Sequence, residues 1–151
     1  MNENFELVSK YMTTKLITFS PDVDIQSATK TLLQNKISGA PVVDKNGKLV
    51  GMLSEKDCIK LLLDGHYNQR PSGQGTVSDY MSEEVTTIPA DTSVYDVAYK
   101  FVNSPFRRFP VVENGRLVGQ ISRRDVLKVI VKNQPTRKHI PSSWKPRVPV
   151  G

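Results

Sequence analysis

The chain has 151 residues, 38% of them apolar, and their clear patterning excludes disorder throughout while allowing one compact unit or two very small ones that share a core. A single cysteine excludes an internal disulfide framework and a multi-cysteine zinc site, and no apolar run approaches the roughly 18 residues of a membrane span. The net charge of +6 is concentrated at one end: residues 132–151 hold Lys132, Arg137, Lys138, Lys145 and Arg147 and no acid, so the other residues, 16 basic and 15 acidic, lack the charge of a basic nucleic-acid-binding face.

Met1 to Glu6 is acidic without an apolar core and does not read as a secretory signal, so a reducing, cytoplasmic setting is expected. A short helix around Tyr11 and a short apolar strand near 16–19 follow. Ile25, Ala28, Leu32 and Leu33 then recur at helical spacing. Two β-rich runs, 40–44 and 48–53, are split by Lys45-Asn46-Gly47, and Ser54 reads as the N-cap of a second helix. Gly65 to Thr76, with Pro71, Gly73 and Gly75, reads as a loop.

The same order then returns. A short helix surrounds Tyr80, a strand falls near 85–88, and Val94, Val97, Ala98, Phe101 and Val102 mark a helix. The runs 109–113 and 116–121 are split by Asn114-Gly115, a hairpin signal because a type I′ turn needs positive φ at both central positions. Ser122 opens the last helix. Aligning 8–61 with 77–129, and skipping Lys45, gives 17 identities in 53 pairs, so the chain is two copies of one β-α-β-β-α unit, each with a short leading helix. One copy alone would bury little, and two packed sheet to sheet would bury a common core. The expected division is 5–64 for the first copy, 65–76 for the linker, 77–133 for the second copy and 134–151 for an extended basic tail containing Pro135, Pro141, Pro146 and Pro149.

Ser-Gly-Ala-Pro-Val-Val-Asp (38–44), Gly-Lys-Leu-Val-Gly-Met-Leu-Ser-Glu-Lys-Asp (47–57), Arg-Phe-Pro-Val-Val-Glu (108–113) and Gly-Arg-Leu-Val-Gly-Gln-Ile-Ser-Arg-Arg-Asp (115–125) together resemble a tandem pair of CBS domains, or Bateman module. The resemblance spans roughly residues 5–133. It implies an α/β fold of two motifs related by a pseudo-twofold axis, adenine-nucleotide binding in clefts between the motifs, a regulatory role, and dimerisation.

The resemblance also implies composite clefts, each built from both motifs. One would use Met52, Ser54, Lys56 and Asp57 with Val85, Thr86, Phe106, Arg107 and Arg108. The other would use Gln120, Ser122, Arg124 and Asp125 with Lys15, Leu16, Ile17, Ile37 and Ser38. Asp57 and Asp125 fall just inside helix N-termini, where a carboxylate can accept two hydrogen bonds from a ribose diol and the helix end favours an anion. The plain alternative is that Ser54 with Asp57, and Ser122 with Asp125, only cap helices. Arg107, Arg108 and Lys56 would make the Asp57 cleft the one that prefers phosphate, unless the arginines are a solvated surface pair.

Cys58 reads as a small core residue, and His66 and His139 are too isolated for metal ligation. No motif supports catalysis. The second helices carry apolar residues on more than one face (Cys58, Ile59, Leu61, Leu62, Leu63; Val126, Leu127, Val129, Ile130, Val131), which points to a homodimer unless the tail covers them with Ile140, Trp144 and Val148. The expected function is a ligand-sensing dimer that binds AMP, ADP or ATP, ahead of NAD or S-adenosylmethionine, and signals to a separate effector protein. It would need no obligatory cofactor and no membrane. The rival is a nucleic-acid-associated or protein-interaction module that works through the basic tail.

Overall fold

In the computed structural model the described residues are 6–67 and 75–132. The tail expected over 134–151 lies outside them, as do His139 and the apolar tail residues Ile140, Trp144 and Val148.

The first copy contains α1 (Val8–Tyr11), α2 (Ile25–Gln34), β1 (Gly39–Val43), β2 (Leu49–Ser54) and α3 (Glu55–Tyr67). The second contains α4 (Val77–Tyr80), β3 (Ile88–Pro89), α5 (Val94–Val102), β4 (Arg108–Glu113), β5 (Arg116–Ser122) and α6 (Arg123–Lys132). Strands β1 and β2 form an antiparallel pair, and β3–β4–β5 form a three-stranded sheet with β3 parallel to β4.

The long helices start where side chains take up the free N–H groups of the first turn. Asp24 accepts from the Ser27 N–H at 2.9 Å and Ser93 from the Tyr95 N–H at 3.1 Å. Each then turns one apolar stripe inward: Ile25, Ala28 and Leu32 on α2, and Val94, Val97 and Phe101 on α5. Leu33 and Val102, which fit the same spacing, are 74% and 83% exposed because each sits one position past the buried stripe.

Three sequence expectations are changed by the fold. The strand expected at 16–19 pairs only at Phe19, whose N–H reaches the Pro41 carbonyl at 3.0 Å and whose carbonyl takes the Val43 N–H at 2.9 Å. Residues 15–17 stay outside the sheet. The two hairpin turns also differ. Asn114 and Gly115 have φ of +53° and +79°, as a type I′ turn requires, whereas the extra Lys45 leaves only Gly47 at positive φ (+82°). That longer turn is closed by Asp44, whose carboxylate accepts from the N–H groups of Asn46 (2.8 Å) and Lys48 (2.9 Å). Finally, Gly65 does not stop α3, which continues through Tyr67, so His66 lies in a helical turn.

Two hydrophobic clusters form, and each is completed by the other copy. Val77, Tyr80 and Met81 pack with the first copy's Ile25, Leu32, Val42 and Leu53. Val8, Tyr11 and Met12 pack with the second copy's Val94, Val97, Phe109 and Ile121. The short leading helices are thus exchanged, and main-chain bonds fix the exchange. Val8 N–H donates to Thr92 O and Val94 N–H to Glu6 O, both at 2.8 Å; Val77 N–H donates to Val23 O at 2.8 Å and Ile25 N–H to Gly75 O at 3.0 Å. At the hairpin tips, Leu49 N–H donates to Gly115 O and Leu117 N–H to Gly47 O, both at 3.1 Å. These paired bonds display the pseudo-twofold relation directly.

Candidate functional site: a cleft between the copies

The exchange carries the chain after each leading helix onto the other copy's hairpin. Thr13 and Gln120 bond reciprocally at 2.8 and 2.9 Å, and Ser82 and Met52 do the same at 2.9 Å in both directions. Glycine makes this approach possible. A Cβ at Gly119 would lie 2.5 Å from Met12 Sδ and 3.0 Å from the Thr13 carbonyl oxygen; at Gly51 it would lie 2.6 Å from Met81 Sδ and 2.8 Å from the Ser82 carbonyl oxygen.

Beside the Thr13–Gln120 pair lies a cleft of about 290 Å³, close to the smallest clefts that hold small molecules, about 300 Å³. Its first-copy wall is Thr13, Lys15, Leu16 and Ile17, the stretch left out of the sheet, with Ile37, Gly39 and Pro41. Its second-copy wall is Arg108, Gln120, Ser122, Arg124 and Asp125. Leu16, Ile17 and Ile37 are half-buried and supply an apolar surface, while Lys15 and Arg124 are exposed and can follow an anion.

The floor is a capping box at the start of α6. Asp125 Oδ2 accepts from the Ser122 N–H and from the Ser122 hydroxyl, both at 2.9 Å, and Ser122 Oγ accepts from the Asp125 N–H at 3.2 Å. Asp57 and Ser54 repeat this at 2.9, 2.9 and 3.3 Å. The capping role is therefore real in both copies. It also fixes each carboxylate, so that Oδ2 is held and, among the described residues, Oδ1 meets a lysine, Lys128 at 3.5 Å or Lys60 at 3.4 Å. Both lysines are largely exposed and free to move aside. Asp57 and Asp125 are the buried charged residues among those described.

The structure gathers Lys15, Leu16, Ile17, Ile37, Gln120, Ser122, Arg124 and Asp125 into one cleft lining. Ser38 is not in it: its side chain is exposed, its carbonyl takes the Glu55 N–H at 2.9 Å, and its neighbour Gly39 lines the cleft instead. Arg108, expected in the Asp57 cleft, lines the Asp125 cleft, where it opens β4 directly across from Ser122. Thr13, Gly39 and Pro41 were missed. Pro41 stood inside a repeated motif, but the place of Thr13 depends on a main-chain pairing with Gln120 that no local pattern encodes.

Around Asp57, the Met52–Ser82 pair brings Met52 beside the segment leading to Val85 and Thr86. Val85 is half-buried, Thr86 and Lys56 are exposed, and Phe106 meets the Phe109 ring edge to face at 5.7 Å. Arg107 is exposed, with its carbonyl bonded to the Arg123 N–H at 3.0 Å. Cys58 is buried in the first cluster. Among the described residues no group of three His, Cys, Asp or Glu side chains could hold a metal ion.

Comparison with known proteins supports this architecture. The CBS domain family model matches residues 8–64 and 77–132. Protein MJ1225 of Methanocaldococcus jannaschii is 34% identical over 125 residues, which is 83% of this chain but 43% of that protein, so the chain spans less than half of that relative. Among solved structures, CBSX2 of Arabidopsis thaliana in complex with AMP is 28% identical with a TM-score of 0.71, covering 83% of this chain and 96% of that one. The CBS domain pair of protein MJ0100, in complex with 5′-methylthioadenosine and S-adenosyl-L-methionine, is 28% identical with a TM-score of 0.66, covering 83% and 99%.

Proposed function

The chain belongs to the CBS-domain family, and on that premise we propose that it is a regulatory module that binds an adenosine-type ligand in the cleft between its two copies. The observation that carries the reading is the Asp125 cleft. A buried carboxylate held by its own cap, an apolar strip at Leu16, Ile17 and Ile37, and cations with no ion pair among the described residues converge on one space of about 290 Å³. A ribose diol suits Oδ1 of Asp125, which the cap does not use, and a purine suits the apolar strip, with main-chain groups of residues 15–17 reading its edge. The ligands of the two solved relatives, AMP in one and 5′-methylthioadenosine with S-adenosylmethionine in the other, share an adenine on a ribose with its 2′,3′-diol, and that adenosine-type unit is the ligand proposed here. AMP, ADP and ATP are the first candidates, ahead of NAD and S-adenosylmethionine. By the pseudo-twofold relation, Met52, Ser54, Lys56 and Asp57 form the second binding place with Val85, Thr86, Phe106, Arg107 and Arg108, the last being the counterpart of the cleft-lining Gly39.

The proposed mechanism is linkage. A ligand that touches both copies binds most tightly at one relative placement of them, and only that difference in affinity shifts the population. The module carries out no reaction of its own in this reading, and its output passes to a separate protein, from a homodimer in the cytoplasm. The dimer would use the outer faces of α3 and α6, where Ile59, Leu62, Leu63, Leu127, Ile130 and Val131 are exposed.

Calorimetric titration of the full chain with AMP tests the reading. Binding is expected, and Asp125→Ala should weaken it by about 1.5–3 kcal/mol, the worth of a hydrogen bond to a charged acceptor. Absence of binding for AMP, ATP and S-adenosylmethionine alike would overturn it.

A further inference from the structure

The chain enters the hairpin of each copy through a short connection, and the two connections are held in different ways. In the first copy, residues 35–38 join α2 to β1 and close on their own helix. Lys36 takes a left-handed backbone (φ +53°), its N–H returns to the Leu33 carbonyl at 3.2 Å, and the Ile37 N–H returns to the Leu32 carbonyl at 3.1 Å. Ile37 is thereby set as a wall of the Asp125 cleft. In the second copy the connection, residues 103–107, is one residue longer, and Pro105 has no N–H to donate. Among the described residues no main-chain bond returns from 104–107 to α5, and the buried Ser104 hydroxyl has no hydrogen-bond partner.

Arg123 supplies what that connection lacks. Its N–H donates to the Arg107 carbonyl at 3.0 Å, its Nε to the Phe106 carbonyl at 3.0 Å and its Nη2 to the Ser104 carbonyl at 3.4 Å. Phe106 is the counterpart of Ile37, since each stands two residues before the strand residue that faces the cap serine: Arg108 across from Ser122, Gly39 across from Ser54. The counterpart of Arg123 is Glu55. The Glu55 N–H bonds the Ser38 carbonyl at 2.9 Å in the same way, but a carboxylate has no donor to offer the carbonyls beyond it. A cation at the first position of a helix opposes the helix dipole, and the carbonyls that Arg123 meets outside α6 give that cation its place.

We infer that Arg123 is a positioning residue for the second binding place: from the start of α6 it holds the wall at Phe106, while the Asp125 cleft has no matching dependence on Glu55. The inference rests on the adenosine reading above, applied to the place around Asp57.

The full chain is titrated with AMP while the carboxyl carbon shifts of Asp57 and Asp125, followed by NMR, report the two places separately. Thermal melting confirms that each variant folds. Arg123→Gln should weaken binding at the Asp57 place by roughly three- to tenfold and leave the Asp125 curve near that of the wild type. Arg123→Lys, which keeps the charge but not the spread of donors, should fall between Arg123→Gln and the wild type. Glu55→Gln should leave both curves unchanged. An Arg123 that merely stabilised α6 would weaken both places alike when replaced, and that result overturns the inference. So does an Arg123→Gln protein with full affinity at Asp57, a Glu55→Gln protein that loses as much at Asp125, or a wild type in which AMP moves Asp125 but not Asp57; each of these leaves the adenosine reading of the Asp125 cleft standing. AMP that moves neither carboxyl in the wild type overturns both.

Discussion

Asp57 and Asp125 each cap a helix and are each proposed to hold a ribose, and substitutions can separate the two roles. Asp125→Ala removes the acceptor for the Ser122 N–H and hydroxyl, so it should lower stability by about 1 kcal/mol through loss of the cap as well as weaken ligand binding. Asp125→Asn keeps a neutral acceptor for the cap and should recover most of the melting temperature but little of the affinity. Equal recovery of both would mean that the charge has no part in binding. The recurrence of Ser-x-x-Asp was legible in the sequence because capping is local, spanning three residues. That Arg108 lies across from Ser122 was not legible, because it depends on strand register. A titration adds a third residue-scale expectation. The N–H groups of Lys48 and Asn46 hold the Asp44 carboxyl below its ordinary range. Its contribution to the hairpin is complete above the unfolded carboxylate range, near pH 4, and is lost as pH falls through the lower folded value. Carboxyl carbon shifts followed by NMR should show a midpoint for Asp44 below that of a free aspartate, and a midpoint at or above it would contradict the turn geometry.

Two glycines of β5 and its turn illustrate different constraints at the level of the element. Gly115 needs its left-handed backbone (φ +79°), while the nearest atom to a Cβ there is Lys48 Cε at 3.8 Å. Gly115→Ala should therefore cost about 1–2 kcal/mol from conformation alone. Gly119 has no positive φ, but a Cβ would meet Met12 Sδ at 2.5 Å and the Thr13 carbonyl oxygen at 3.0 Å. Gly119→Ala should push the Thr13 segment off β5, opening the Asp125 cleft and lowering ligand affinity, which Gly115→Ala should spare. Thermal melts paired with AMP titrations separate the two, and a Gly119→Ala protein with normal affinity would contradict the role given to this approach. The hairpins and long helices could be read in advance from periodicity, caps and Asn-Gly. The exchange of leading helices could not, since Val8 and Val77 look alike in sequence and nothing local states which copy each one packs on. Nor could the loss of strand at residues 15–17, which leave the edge of β1 away from β2 to Phe19 and become cleft wall instead.

For the molecule as a whole, the outer faces of α3 and α6 carry the proposed dimer. Leu62 is 70% exposed and Ile130 63% exposed, so a charge at either position leaves both hydrophobic clusters intact. Leu62→Glu and Ile130→Glu should therefore yield folded monomers from a wild-type dimer, as judged by light scattering with circular dichroism. A monomeric wild type at micromolar concentration would remove the dimer from the account. The central claim, that an adenosine ligand sits between the two copies, is tested most directly by a crystal structure of the full chain grown with AMP. The account predicts the ribose on the Asp125 carboxylate, the base against Leu16, Ile17 and Ile37, and the phosphate at Arg108 and Arg124. AMP bound away from both Asp57 and Asp125, or no AMP in the crystal at saturating concentration, would contradict it.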